Sequence, residues 1–176
     1  MAVKLINNLF WEKHYPCEEI FNTSIQVDHK PVKIQLFDTK GTVQGMNSEF
    51  FTSATRNGDG FIFVCAVNDL KSLERLNEFI GTITTIRDSS NYPLLSLINK
   101  VDLKEKEHAV TTALCNTNVR NYSIMFTSSK TGENIREAFE TMIHMTRVGK
   151  PSIINILKDI LRRDSKLVDK YQCSIL

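Results

Sequence analysis

Asp38 and Gly41 form the spacing D-x-x-G directly after a run of alternating side chains at residues 32–37. This alternation of apolar and polar residues predicts a half-buried strand that ends at Asp38. Ligands of parallel α/β sheets bind beyond the carboxyl ends of the strands, so the Asp38 carboxylate is placed to hold a metal ion or its bound water. Gly41 allows a backbone N–H to approach a phosphate closely. Taken alone, this spacing is more typical of an ordinary turn after a strand.

A second group of polar residues, Asn99, Lys100 and Asp102, follows the apolar run at residues 93–98 with the spacing N-K-x-D. A carboxylate facing a nucleobase accepts hydrogen bonds from a ring N–H and an exocyclic amino group. Guanine presents this pair where adenine does not, and Asp102 suits the task. Asn99 is expected to tie neighbouring loops together, and the Lys100 stem to lie over the base plane. The alternative is a polar loop between a strand and a helix.

A third group, Ser128, Ser129 and Lys130, belongs to the segment T-S-S-K-T-G at residues 127–132, directly after an apolar run at residues 122–126. Backbone N–H groups of these residues are candidates to donate to the carbonyl oxygen of guanine. Each of the three motifs taken singly favours a structural loop. Their occurrence in this order, each at the end of a predicted strand, favours a nucleotide site along one rim of a sheet.

Alternating strands and helices must position these motifs. Residues 23–28 and 32–37 are joined by a short turn, which predicts an antiparallel hairpin. Residues 61–67 are apolar throughout, which predicts a strand buried on both faces. Further strands are predicted at 93–98 and 122–126, and helices up to residue 10, within 43–54, along 73–86, at 106–115 and from 133 onward. The order predicts an α/β fold with a doubly wound, mostly parallel sheet and helices on both faces.

Composition limits the classes of protein to which the chain can belong. Its 176 residues are 41% hydrophobic and 24% charged with a net charge of +2, which predicts one domain with a core and excludes a disordered chain. The small net charge also argues against a nucleic-acid partner. No apolar run approaches the roughly 20 residues of a membrane-spanning helix, and the amino-terminal apolar stretch is too short for a secretory signal. The four cysteines lack C-x-x-C spacing, which predicts reduced thiols and no zinc site.

With its three motifs and the segment G-D-G-F-I-F-V-C-A at residues 58–66, the sequence resembles the Ras-type small GTPases. The resemblance covers residues 1–147 and extends to the C-terminal tail. It implies the G-domain variant of the P-loop NTPase fold over residues 1–148, with residues 149–176 as a separate tail. It also implies that the chain binds GTP or GDP with Mg²⁺, hydrolyses GTP, and acts as a molecular switch in signal transduction.

The same resemblance assigns roles to individual residues. Phe10 corresponds to the aromatic residue that packs against guanine, although a core-edge aromatic would satisfy the same position. Asp38 corresponds to the carboxylate that holds Mg²⁺ through a water molecule, and residues 12–19 to the first switch loop. Effector and regulator proteins would then bind through the loops around Cys17 and Gly41.

Two features of the family are missing from this sequence. The P-loop G-x-x-x-x-G-K-[ST], which cups the phosphates in backbone N–H groups, does not occur. Alignment places Met1 inside the first helix, so the strand that precedes the P-loop is missing too. In the family that strand lies between those at residues 32–37 and 61–67, so its loss predicts two unpaired edges within the sheet. Two interpretations remain open: a truncated product of an ordinary GTPase, or a pseudo-GTPase that binds no nucleotide and serves as an interaction module.

Substitutions at the phosphate end lend weight to the second interpretation. Cys17 stands where the family has the threonine that reports the γ-phosphate through Mg²⁺, and a thiol is a poor ligand for that hard cation. Thr42 stands where the family has the glutamine that orients the attacking water, so we assign no catalytic residue and expect slow or impaired hydrolysis. Lys40 replaces a small residue; it either reaches the phosphates or is a solvated lysine on a loop.

The last four residues, Cys173-Ser-Ile-Leu176, form a C-a-a-X sequence, in which a final leucine favours geranylgeranylation of Cys173. Residues 158–170 contain five Lys or Arg and three Asp, a net charge of +2, which attracts anionic lipid only modestly. A single prenyl chain binds membranes reversibly. We therefore expect a lipoprotein at the cytoplasmic face of a membrane, most plausibly the plasma membrane, with a cytosolic pool. Residues 153–161 have the spacing of an amphipathic helix that extends the fold or contacts a partner.

Overall fold

The computed structural model describes residues 1–7, 18–103 and 123–148. The helices are α1 (Ala2–Asn7), α2 (Val43–Met46), α3 (Glu49–Asn57), α4 (Leu70–Arg87) and α5 (Ile135–Val148), and the strands are β1 (Glu19–Val27), β2 (Lys30–Asp38), β3 (Phe61–Ala66), β4 (Leu94–Asn99) and β5 (Ser123–Phe126). This order confirms the predicted α/β class. The helix predicted at residues 106–115 lies outside the described residues, as does most of the loop predicted at residues 12–19.

The strands form two sheets within the described part of the chain. In the first, β3, β4 and β5 are parallel in that order, with Cys65 opposite Ile98 and Ile98 opposite Phe126. In the second, β1 and β2 form the predicted antiparallel hairpin, with Val27 opposite Lys30. The sheet is therefore interrupted between β2 and β3, where the sequence predicted two unpaired edges.

The hairpin turns through Asp28 and His29, both of which have positive φ angles of 51° and 61°. A two-residue turn of this kind matches the right-handed twist of the strands it joins. The hairpin is fastened to α5 at the same end, because Arg147 lies 3.5 Å from the Asp28 carboxylate and Arg136 donates to the carbonyl of Gln26. β2 also buries its alternating apolar side chains against α5.

Helix α4 follows β3 and covers one face of the parallel sheet. The Asp69 side chain caps its amino terminus by accepting a hydrogen bond from the Ser72 N–H at 3.2 Å. Asp88 ends it in the left-handed conformation, close to where the sequence predicted the end of the helix. The apolar stripe of the helix buries Leu73 and Ile83 against the sheet.

β4 is the centre of the core, since Leu95, Leu97 and Ile98 are almost entirely inaccessible to solvent. One cluster joins β3 and β4 to α3 and α4, and a second joins β4 and β5 to α5. Helices therefore cover both faces of the parallel sheet, as the alternating pattern predicted. None of the helices in the described ranges combines the length and hydrophobicity needed to cross a bilayer.

β3 departs from its predicted burial. Phe63 and Cys65 are buried, but Val64 between them remains 43% exposed and Ile62 is only partly covered. The prediction that this strand is buried on both faces is therefore wrong for one face. The physical reason is local, because β3 borders the interruption between the two sheets and none of the described strands pairs with that edge.

Cys65 provides a test of the buried face of β3. Burial raises the pKa of its thiol to about 12; the nearby Asp69 adds to the rise, and a hydrogen bond with Ser72 opposes it. We expect native protein at pH 8.5 to alkylate at Cys65 far more slowly than protein in denaturant, because the thiolate is the nucleophile. Peptide mapping by mass spectrometry after iodoacetamide treatment measures this difference. Equal alkylation rates in native and denatured protein would contradict the burial of Cys65.

The same shift predicts how stability depends on pH. The thiol has a higher pKa in the folded state than the ordinary value of about 8.5, so folding favours its protonated form. Its contribution to stability is complete below that ordinary value and declines as the pH rises through the alkaline range.

Candidate functional site

The carboxyl ends of β4 and β5 place two of the predicted motifs side by side. These strands are neighbours in the parallel sheet, and the backbone continues the pairing beyond them, because Thr127 N–H donates to the Ile98 carbonyl at 2.9 Å and Val101 N–H to the Thr127 carbonyl at 3.3 Å. Residues 99–103 and 127–134 therefore leave the sheet together. The N-K-x-D and T-S-S-K segments meet, although 28 positions separate Asn99 from Thr127.

Asn99 ties the two loops together through a single oxygen. Its Oδ1 accepts hydrogen bonds from the Ser129 N–H at 2.9 Å, the Ser129 hydroxyl at 3.2 Å and the Thr127 hydroxyl at 3.4 Å. Thr127 is fully buried and Ser129 nearly so. Buried donors need an acceptor, so these bonds hold the second loop in one position relative to the first.

Asp102 is the exposed acid of the site. The Ser128 hydroxyl donates to its Oδ1 at 2.5 Å and accepts a hydrogen bond from the Thr131 N–H at 3.1 Å. Ser128 is fully buried, whereas Asp102 is exposed, so a buried hydroxyl orients a carboxylate that faces solvent. Among the described residues, no side-chain hydrogen bond reaches its second carboxylate oxygen, which can accept hydrogen bonds from a ligand.

Backbone N–H groups of the loop at residues 127–134 already donate hydrogen bonds within the protein. The Ser128 N–H donates to the Glu133 carbonyl at 3.0 Å, and the Ser129 N–H is held by Asn99. Both N–H groups therefore have internal acceptors in this arrangement, and their contact with guanine stays a prediction. Of the three N–H groups predicted, that of Lys130 has no acceptor within the described residues. The Lys130 and Lys100 side chains are exposed.

Sequence reasoning missed Asn134, which closes the second loop. Its side-chain amide donates to the Phe126 carbonyl at 2.9 Å, and its backbone is left-handed with φ 54°. Gly132, two residues earlier, also has a positive φ of 92°. The signal in the sequence was the spacing G-E-N, because Gly and Asn are the residues that most readily adopt this conformation.

Asp38 lies at the carboxyl end of β2, where the sequence predicted it, and is half-buried. The loop that follows is fastened to α4, because the Arg75 guanidinium donates to the Gly41 carbonyl at 3.1 Å. A cavity of about 230 Å³ separates this loop from β3 and α4, and Lys40 lies along its wall. This second part of the site belongs to a different sheet from the first.

Thr42 has a structural role that the sequence did not reveal. Its hydroxyl accepts a hydrogen bond from the Gly45 N–H at 3.0 Å and caps α2. Gly45 packs against the Lys40 carbonyl so closely that a Cβ atom would collide with it. The Thr42 hydroxyl thus takes part in the start of the helix that follows.

Asp38 has the ligand type that Mg²⁺ requires from a protein, which is one or two carboxylates. Mg²⁺ usually keeps several waters and takes one or two carboxylates together with phosphate oxygens of a substrate. Within the ranges that the structure covers, no three His, Cys, Asp or Glu side chains cluster as a metal site. Phe10, Cys17 and Cys173 lie outside the described residues, and their roles stay predictions.

Comparison with models of known protein families extends these observations beyond single motifs. The Ras family model matches residues 1–148, which include every residue that the structure describes. The match therefore covers the hairpin, the parallel sheet and both parts of the candidate site. The residues from 149 onward, including Cys173, lie outside it.

Proposed function

Because this chain belongs to the Ras family, we propose that its small-GTPase-like domain binds guanine nucleotides and acts as a switch in signal transduction. The observation that carries the proposal is the junction of the two loops after β4 and β5. Asn99 joins them, and Ser128 orients the exposed Asp102 carboxylate beside that junction. A site prepared in this way loses little conformational entropy when a base binds.

In the proposed complex, Asp102 accepts hydrogen bonds from the ring N–H and the exocyclic amino group of guanine. The Lys130 N–H donates to the guanine carbonyl oxygen, because Ser128 and Ser129 are already engaged in holding the loop. The Lys100 stem covers one face of the base, and Phe10 is proposed to pack against the base as the corresponding family residue does. Adenine offers an acceptor where guanine offers its ring N–H, so it is rejected.

At the phosphate end, Asp38 holds Mg²⁺ through a water molecule, and the Gly41 N–H approaches the terminal phosphate. The metal would supply charge neutralisation for the phosphates. Hydrolysis is proposed to be slow, because the Thr42 hydroxyl is committed to capping α2 and Cys17 is a poor ligand for a hard cation. Effector and regulator proteins are proposed to bind through the loops around Cys17 and Gly41.

Titration with a fluorescent GDP analogue in Mg²⁺ tests the proposal. We expect saturable binding of the 176-residue chain that GDP and GTP displace and that ADP and ATP do not. Asp102→Ala is expected to weaken binding by about 100-fold, because two hydrogen bonds to a charged acceptor are lost. Asp59→Ala is the matched control, since Asp59 is an exposed acid remote from the two loops.

A second candidate function is an interaction module that needs no nucleotide. The Thr42 hydroxyl favours it, since it caps α2 at the position where the Ras family has the glutamine that orients the attacking water. The same titration separates the two functions. Absence of saturable binding at micromolar nucleotide would support the interaction module and exclude the switch.

Beyond residue 148 we propose a C-terminal tail that anchors the domain through a geranylgeranyl group on Cys173. The C-a-a-X spacing supports this proposal, and the modest positive charge of residues 158–170 supports reversible attachment. The protein would then divide between the cytosol and the cytoplasmic face of the plasma membrane. Fractionation of cells that express the chain or its Cys173→Ser variant tests this, because equal membrane fractions would rule out the lipid.

A further inference from the structure

Asn134 joins the second loop, residues 127–134, to helix α5. Its backbone carbonyl accepts a hydrogen bond from the Ala138 N–H at 3.1 Å, so Asn134 stands at the position that caps the amino terminus of the helix. A residue at this position usually has an extended backbone and turns its side chain toward the helix. Asn134 has a φ of 54° instead, and its side-chain amide donates to the Phe126 carbonyl at 2.9 Å. This donor therefore fastens the loop to the end of β5.

The Phe126 carbonyl lies on the outer side of the parallel sheet. The Thr127 N–H donates to the Ile98 carbonyl at 2.9 Å, so the backbone groups of Phe126, one residue earlier, point away from β4. Asn134 thus holds the returning part of the loop at the outer edge of β5. Asn99 holds the outgoing part from the opposite side, where β4 ends. The loop is anchored on both sides.

Between these two anchors the loop is bonded to itself. The Gly132 N–H donates to the Ser128 carbonyl at 2.8 Å, and the Ser128 N–H donates to the Glu133 carbonyl at 3.0 Å. The Thr131 N–H donates to the Ser128 hydroxyl at 3.1 Å. Among the described residues, no acceptor is found for the Lys130 N–H in the middle of the loop. The two anchors therefore determine where this donor points.

Asparagine combines the two properties that position 134 requires. Its backbone tolerates the left-handed conformation, and its side chain carries an N–H donor. Glycine adopts the same conformation but has no side-chain donor. Alanine lacks the donor and is strained at this φ. Aspartate tolerates the conformation but would place a carboxylate against the Phe126 carbonyl.

We propose that Asn134 is a positioning residue, which fixes the Lys130 N–H for the carbonyl oxygen of guanine. This inference rests on the proposed function and adds a residue that determines base specificity. The other edge of the base is read by Asp102, which the Ser128 hydroxyl orients. Ser128 is fully buried and lies on the part of the loop that Asn99 holds. Recognition of the carbonyl and recognition by Asp102 therefore depend on different anchors.

Competition against the fluorescent GDP analogue tests this division with two nucleotides. In 6-thio-GDP a sulfur atom, which is a weaker acceptor, replaces the guanine carbonyl oxygen. Xanthosine diphosphate (XDP) changes the edge that Asp102 reads. The parent chain should prefer GDP to both. Asn134→Gly, which keeps the left-handed backbone, should bind GDP about tenfold more weakly and lose its preference over 6-thio-GDP.

The same variant should keep its preference for GDP over XDP, because the Asp102 contact is retained. In the GDP complex, hydrogen exchange at the Lys130 amide should be slowed in the parent and much less in Asn134→Gly. Asn91→Gly is the matched control, since Asn91 is an exposed asparagine in the loop before β4, at the opposite end of that strand. It should bind all three nucleotides as the parent does. Circular dichroism confirms that each variant is folded.

The possible failures of this experiment are distinguishable. If Asn134→Gly keeps the parent's affinity for GDP or its preference over 6-thio-GDP, Asn134 does not position the Lys130 donor, although the proposed function stands. If the preferences over 6-thio-GDP and XDP are lost together, Asn134 supports the whole loop and has no specific role at the carbonyl. If the parent chain binds no nucleotide, the proposed function is wrong and this assignment is wrong with it.

Discussion

Replacing Asp102 with asparagine is expected to shift the base preference of the chain from guanine to xanthine. In the proposed complex the carboxylate would accept both the ring N–H and the exocyclic amino group of guanine, whereas an amide would offer one acceptor and one donor. The amide donor would oppose the amino group of guanine but match the carbonyl that xanthine carries at that place. Loss of two hydrogen bonds to a charged group costs about 3 kcal/mol, or about 100-fold in affinity for GDP.

Competition of GDP, XDP and ADP against the fluorescent GDP analogue measures this change. Asp102→Asn keeps an oxygen that can accept the Ser128 hydroxyl, so the loop should retain its position and the thermal midpoint should change little. Asp59→Asn, which changes an exposed acid elsewhere, should keep the guanine preference. An unchanged order of GDP over XDP in Asp102→Asn would show that this residue does not meet the base.

The meeting of the N-K-x-D and T-S-S-K loops could be predicted from the sequence because it depends on strand order alone. Parallel strands that are neighbours end at the same rim, so Asn99 and Ser128 had to meet once β4 and β5 were identified. The hydrogen bonds within the site could not be predicted in the same way. Whether the Ser129 N–H meets a ligand or Asn99 depends on the loop path, which a left-handed residue such as Asn134 sets.

Sequence periodicity likewise predicted which residues form strands but not how deeply each residue is buried. The apolar run at residues 61–67 correctly identified β3, and the alternation at 32–37 correctly identified the strand that packs on α5. A continuous apolar run indicates which residues seek burial, but not whether a neighbouring element covers them. Val64 remains exposed because the cover is missing, and only the spatial order of the strands reveals that.

The two parts of the candidate site differ in how firmly they are held. The loops after β4 and β5 are joined by a buried network centred on Asn99. The loop after β2 belongs to the hairpin, which is fastened to the rest of the molecule by α5 and by the bond from Arg75 to Gly41. The loop after β2 is therefore held less firmly than the loops after β4 and β5.

The second large effect is expected from Asn99→Ala, which should lower the free energy of unfolding by about 2 to 3 kcal/mol. The substitution removes the acceptor shared by the Ser129 N–H, the Ser129 hydroxyl and the Thr127 hydroxyl. Thr127 is fully buried, so its hydroxyl has no access to water as a replacement partner. Urea unfolding followed by circular dichroism measures the change.

Asn99→Asp is the matched variant, because its carboxylate keeps an acceptor at the same distance from the backbone and should recover most of the lost stability. Asn22→Ala, on the exposed face of β1, removes an acceptor for Gln35 that water can replace, so it should change stability by less than about 0.5 kcal/mol. If Asn99→Ala unfolds at the same urea concentration as the parent chain, the shared oxygen does not hold the two loops together. Base binding would then have to order the two loops. In that case, nucleotide would slow hydrogen exchange at the Ser129 amide by more than it would in a preformed loop.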